Sequence, residues 1–247
     1  MRSSVIKKGT WLASFMLAVC LCAHAEVKLP AIFSDGMVMQ QQTKANLWGT
    51  ATPNKKITVT TGWNGKQYVA TADKNGAWKL SVSTPQGGGP YSITFNDGSK
   101  KTLNNILIGE LWLCSGQSNM EMPMKGFKNQ PVENANMDIL RSKNPNIRLF
   151  TVKRTSTFTP QTDVVGTWKE ATPANVRDFS ATAYYFGRLI NEILDVPVGV
   201  VVAAWGGSAC EAWMTADWLK AFPDAKIPQS EADIKSKNRT PTVLYNG

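Results

Sequence analysis

The residues best suited to chemistry stand together in Ser115-Gly116-Gln117-Ser118-Asn119-Met120. They follow the apolar run Ile106 to Cys114, broken only by Gly109 and Glu110. A serine on a small-residue turn at the carboxyl end of a buried strand is how a hydrolase presents a nucleophile. Gly116 permits the sharp turn, and the N–H of Ser118 can face an oxyanion. Met120 takes the place of the second glycine of a full Gly-x-Ser-x-Gly elbow. Ser118 is the candidate nucleophile; Ser115, nearer the strand end, is the rival and better suited to a structural role. Such a serine needs a base, most often histidine. The only histidine of the 247 residues is His24.

His24 lies in a leader-like segment. Arg2, Lys7 and Lys8 form a basic start, Trp11 to Cys22 is an apolar run too short to span a bilayer, and Ala23-His24-Ala25 is a small-x-small site before Glu26. Residues 1–25 therefore read as a secretory signal peptide, and the mature chain as exported, periplasmic or extracellular. An uncleaved anchor and a lipid-modified Cys20 are the alternatives, although Val19 fits the second poorly. No later segment is long and apolar enough to cross a membrane. Cleavage leaves 24 of the 27 basic residues against 18 acidic ones, a net charge of +6. With no Lys/Arg run or basic helix, nucleic acid is not an expected partner. Cys114 and Cys210 remain; export would permit a disulfide, but each reads as the small hydrophobe at the end of an apolar strand and is expected unpaired. Without a mature histidine or a Cys-x-x-Cys pair, no metal site is expected.

Two patterns must position Ser118. Residues 26–106 read as antiparallel β. Asn64-Gly65, Asn75-Gly76 and Asp97-Gly98 supply the positive φ of tight hairpins between period-two strands. Ile57, Val59 and Thr61 share a face, as do Trp78, Leu80 and Val82, and Tyr91, Ile93 and Phe95. This predicts a small, immunoglobulin-like β-sandwich. Trp63, Tyr68 and Trp78 either fill its core or form a sugar-stacking surface, the core being the commoner use. From residue 107 the hydrophobicity becomes continuous, as in strands buried on both faces. Strands over 106–114, 147–152 and 198–205, with helices over 131–141 and 181–194, predict an α/β doubly wound sheet over 107–247. Ser180 is the expected N-cap of the second helix, with Tyr185, Phe186, Leu189, Ile190 and Ile193 at helical spacing. Pro223 to Arg239 reads as a surface excursion or lid, and Val243 to Gly247 as the start of another apolar element.

Several blocks together resemble the sialate O-acetylesterase family of SGNH (GDSL-like) hydrolases. They are Gly109 through Met120, Phe33 through Gln40, Trp48-Gly49-Thr50-Ala51, Gly88-Gly89-Pro90-Tyr91, Phe179-Ser180-Ala181 with Tyr184 to Gly187, and Pro197-Val198-Gly199 through Glu211-Ala212-Trp213. The resemblance covers nearly all of 27–247. It implies an SGNH-type esterase domain and release of acetate from O-acetylated sialic acid by serine acyl transfer, without metal or organic cofactor. Ser118 matches the nucleophile, and Gly207 matches a backbone donor of the oxyanion hole beside the Ser118 N–H. Gln117 and Asn119 flank the nucleophile and hold the turn or touch substrate. Glu211 and Trp213 match residues that support the site or pack; a structural hydrogen bond is the plainer role for Glu211. Acetylated xylan or another glycan is the alternative substrate, and a non-catalytic glycan-binding protein on the esterase fold the alternative class. Gly36 and Ser208 stand where the family more often has a larger polar residue and threonine. The family also carries a Gln-Gly-Glu block and a later Asp-x-x-His element that supplies the base. Neither occurs here, so the sequence reads as the N-terminal part of a longer esterase, inactive alone.

Overall fold

The computed structural model describes residues 26–247; residues 1–25, with Cys20, His24 and the expected signal peptide, lie outside the described residues. The first strands are β1 (Val38–Gln40), β2 (Lys44–Thr50), β3 (Lys56–Thr61), β4 (Gln67–Thr71), β5 (Ala77–Ser83) and β6 (Gly88–Asn96). The long β7 (Lys100–Gly116) leads into helices α1 (Ser118–Glu121) and α2 (Ala135–Leu140). Then come β8 (Asn144–Thr151), β9 (Trp168–Ala171), α3 (Pro173–Val176), α4 (Ala181–Leu194), β10 (Val198–Ala204) and α5 (Ala216–Leu219).

Period-two patterning builds the first half. Ile57, Val59, Ile93 and Phe95 are wholly buried and pack with Leu47, Trp78 and Val82. Each such side chain contributes about 1.5–3 kcal/mol. Gly65, Gly76 and Gly98 all take positive φ, but only two of the three turns close hairpins. Asn64-Gly65 joins the paired strands β3 and β4, and Asp97-Gly98 joins β6 and β7. Asn75-Gly76 instead carries the chain out of the large sheet into a separate ribbon of β2 and β5. Trp78 is buried and Trp63 donates its indole N–H to Ser83 O at 3.1 Å, so the sugar-stacking alternative gives way to a packing role.

The expected immunoglobulin-like sandwich is corrected by the pairing. The β2–β5 ribbon does lie over a sheet, but that sheet does not end at residue 106. Its strand order is β4-β3-β6-β7-β10-β8-β9, and the expected boundary at 106/107 falls inside β7. β7 pairs antiparallel with β6 over Lys100 to Ile108, then parallel with β10 over Glu110 to Gly116. β1 pairs parallel with Leu107 to Gly109 on the other edge: Gly109 O accepts from Gln41 N, whereas Glu110 N donates to Pro197 O. The halves are joined further. Buried Arg148 donates to Gly36 O at 3.4 Å and Asn105 Oδ1 at 3.1 Å and pairs with Glu170 at 3.3 Å. Trp168 Nε1 donates to Ile32 O at 2.8 Å.

In the second half β7, β10 and β8 run parallel, with β10 in the middle, and β9 adds an antiparallel edge that the sequence pattern does not announce. Helix α4 has the expected bounds, and Ser180 Oγ caps it by accepting from Ala183 N at 3.1 Å. Its buried face is not the expected one. Ala181, Ala183, Tyr184 and Gly187 pack inward, while Leu189 is 53% and Ile193 65% exposed. Gly187 lets the helix approach β10, since a Cβ there would meet Val200 Cγ2 at 2.6 Å. The other predicted helix is shorter, α2 alone. Val243 and Leu244 are buried against Ala212 in a turn and begin no strand.

Candidate active site

The parallel pairing of β7 and β10 sets the site. Gly116 stands opposite Ala204, so the turns leaving the two strands emerge side by side. Trp205 N donates to Gly116 O at 3.1 Å and extends the ladder one step. Past that point one turn carries Gln117, Ser118 and Asn119, the other Gly206 and Gly207. Ser118 is the first residue of α1 and exposed. Its N–H is among the donors a helix start leaves without an intrahelical partner. Its hydroxyl has no hydrogen-bond partner among the described residues.

Gly207 holds φ at +71°, a left-handed conformation that glycine adopts without strain. Gly206 is required by proximity. A Cβ there would stand 3.7 Å from Ser118 Cα and 2.8 Å from Glu121 Oε2. Within the turn, Ser208 N donates to Trp205 O at 3.2 Å and Ala209 N to Asn238 O at 3.1 Å, while Gly206 N donates to the Glu121 carboxylate. Gly207 N–H has no partner among the described residues.

Glu121, Arg154 and Asn238 carry no signal in the sequence pattern. Glu121 lies three residues after Ser118 in the same helical turn, a spacing that puts both on one side. Its carboxylate accepts from Gly206 N and pairs with Arg154. The Arg154 guanidinium sits 5.6 Å from the ring centre of Trp205, in cation–π range. Asn238 donates from Nδ2 to Gly206 O at 3.0 Å and Arg239 donates to Gly207 O at 3.1 Å. Both belong to the segment read as a surface excursion; nothing in its polar composition marks them.

The other sequence-derived residues divide. Gln117 and Asn119 are exposed beside Ser118, and the Asn119 carbonyl accepts from Thr182 Oγ1 at 3.0 Å, tying the turn to α4. Glu211 is exposed in a short 3-10 turn, Cys210–Trp213. Its backbone carbonyl, rather than its carboxylate, accepts from Thr242 N at 2.9 Å. Trp213 donates to Ser208 Oγ at 2.9 Å and so packs behind the glycine turn. Cys114 and Cys210 are unpaired, as expected. Burial pushes the Cys114 thiol up, but Cys210 is exposed in the 3-10 turn rather than buried at a strand end.

Two concavities flank the site. A cleft of about 740 Å³ lies beyond β8 and β10 and is lined by Glu121, Lys125, Phe127, Lys128, Lys153 and Arg154. A cavity of about 430 Å³, bordered by Trp48, Leu113, Trp205, Trp213 and Tyr245, lies beside it, with Arg154 and Ala204 in the wall of both. Ser118 lines neither.

No protein-family model matches the chain. Curated proteins do. Sialate O-acetylesterases of Pongo abelii and Homo sapiens are each 27% identical over 240 residues, covering 89% of this chain and 45% of theirs. A solved structure described as a novel carbohydrate acetylesterase from Xanthomonas citri superposes with a TM-score of 0.77 at 33% identity, covering 90% of this chain and 47% of that one. These likenesses support the sialate O-acetylesterase family. It spans about half the length of the relatives it matches. The mixed sheet with its few helices fits an α/β hydrolase-like esterase domain. Among the described residues no helix is long and apolar enough to cross a membrane.

Proposed function

We propose that this polypeptide works in a carbohydrate O-acetylesterase that releases acetate from O-acetylated sialic acid by serine acyl transfer. The observation that carries the reading is the adjacency of two turns, one offering the Ser118 hydroxyl and the other the unpartnered Gly207 N–H. Ser118 Oγ attacks the acetyl carbonyl carbon and gives its proton to a base. The oxyanion that forms accepts hydrogen bonds from the N–H groups of Ser118 and Gly207. Collapse expels the sugar hydroxyl with a proton from the base, and water then frees acetate from the acyl-serine by the same route. The family resemblance assigns the base to a histidine in an Asp-x-x-His element, which residues 26–247 do not contain. Gln117 and Asn119 flank the nucleophile at the substrate's approach, and Glu211 stands further along the loop after Gly207.

The test is Ser118→Ala in the full-length protein. Acetate release from 9-O-acetylated sialic acid should vanish while the thermal midpoint barely moves, since a surface hydroxyl is worth about 1 kcal/mol at most. Activity that survives there and dies with Ser115→Ala would overturn the assignment. Faster release from acetylated xylan would replace the substrate. Glycan binding without turnover of any acetyl ester would replace the class. The exported location belongs to the same proposal, with residues 1–25 removed. N-terminal sequencing of secreted protein should begin at Glu26; a start at Met1 or a lipid-modified Cys20 would refute it.

A further inference from the structure

We propose that Asn238 is a positioning residue for the oxyanion hole, setting the direction of the Gly207 N–H. The inference rests on the reading of that N–H as an oxyanion donor. The carbonyl of Gly206 and the N–H of Gly207 belong to one planar peptide unit and point opposite ways across a trans bond. Whatever fixes Gly206 O therefore aims Gly207 N–H. Asn238 Nδ2 donates to Gly206 O at 3.0 Å, from 32 residues further along the chain.

The amide is itself held in one orientation. Ser236 Oγ donates to Asn238 Oδ1 at 3.1 Å, which leaves the NH₂ end for Gly206 O. The Asn238 carbonyl accepts from Ala209 N at 3.1 Å, so the residue is tied to the turn by backbone and side chain together. Asn238 is half-buried, whereas Gly207 is exposed. The neighbouring peptide units are fixed too, Gly206 N–H by the Glu121 carboxylate and Gly207 O by Arg239. A turn of two glycines has little intrinsic preference of its own, and the 206–207 peptide could flip without this bond. Donation to Gly206 O also polarises that peptide and strengthens its N–H as a donor. The segment read from sequence as a surface excursion thus supplies the rigidity that preorganised stabilisation requires.

The experiment uses the full-length protein with p-nitrophenyl acetate as substrate and phenylboronic acid as a mimic of the tetrahedral adduct on Ser118. Asn238→Ala removes the donor. Asn238→Asp keeps the shape but puts a carboxylate oxygen against Gly206 O. Both should lower kcat at least tenfold with KM within about twofold, and weaken the boronate in proportion to kcat, because the lost interaction belongs to the transition state. Rates unchanged in both variants would overturn the proposal. So would a fall in kcat with boronate affinity unchanged, which marks general loosening. Should Asn238→Ala fail to fold, the isosteric aspartate variant carries the same comparison. Ser118→Ala, run alongside, separates the two levels. If it stays active, the acyl-transfer reading fails. If it is dead while both Asn238 variants keep wild-type kcat, only the positioning role fails.

Discussion

Glu121 accepts a hydrogen bond from the backbone N–H of Gly206, 85 residues away in sequence. This ties the turn of the candidate nucleophile to the turn of the candidate oxyanion donor. The carboxylate does so from the helical turn that begins with Ser118, while its other oxygen pairs with Arg154.

Loss of that charge should therefore loosen the site before it loosens the fold. Glu121→Gln keeps an acceptor for Gly206 N–H but gives up the Arg154 pair. In the full-length protein kcat is expected to fall roughly tenfold, or about 1.4 kcal/mol in the barrier. KM and the thermal midpoint should change little. Steady-state kinetics beside a melting curve decide it: a large fall in melting temperature at unchanged kcat would make the link purely structural.

A second network clamps α2 to α4. Tyr185 donates to Asp138 Oδ2 at 2.7 Å and Arg188 to Oδ1 at 2.9 Å. These bonds, that of Tyr185 foremost, hold the Asp138 carboxyl below its ordinary 3.8, while burial first and Asp138 second push the Tyr185 hydroxyl up to about 12. A carboxylate with a lowered folded-state pKa stabilises above its unfolded value and loses that contribution as pH falls through the folded one. Asp138→Asn should thus cost about 1 kcal/mol at neutral pH. The gap to wild type should stay constant down to pH 3.8 and close in stronger acid. Urea unfolding across that range measures it, and a gap of constant size throughout would count against the network.

The sheet has an apolar margin where β7 passes β1. Beyond Leu111 that edge pairs with no strand among the described residues, and Trp112 and Leu113 are 42% and 69% exposed. Unpaired apolar edges associate, and lysine on an edge strand suppresses this. Residues 26–247 expressed alone should elute on size exclusion as more than a monomer, and Leu113→Lys should shift them toward one. A monomer at all concentrations in both forms would disprove the expectation.

Local signals in the sequence set local outcomes here. The Ser180 cap and the spacing after it gave α4 its bounds, because a cap and a 3.6-residue period are properties of contiguous residues. Period-two alternation marked the buried faces of β3, β5 and β6 for the same reason. The apolar run before Gly116 located the strand that leads to Ser118. The resemblance paired Ser118 with Gly207, and the strand register of Gly116 with Ala204 explains why those turns lie together.

Tertiary structure decided the rest. Asn75-Gly76 has the same chemistry as the two hairpin turns, yet it turns a corner between sheets, since strand pairing depends on which edges meet. β7 runs through the expected boundary because one strand can change neighbours without any change in its own pattern. Leu189 and Ile193 fit the apolar stripe of α4, but close approach at Gly187 chose a different face. Glu121, Arg154 and Asn238 reach the site from 32 to 85 residues away from the turn they touch at one end or the other. No spacing rule spans such distances, so only the folded chain brings those side chains to the peptide they hold.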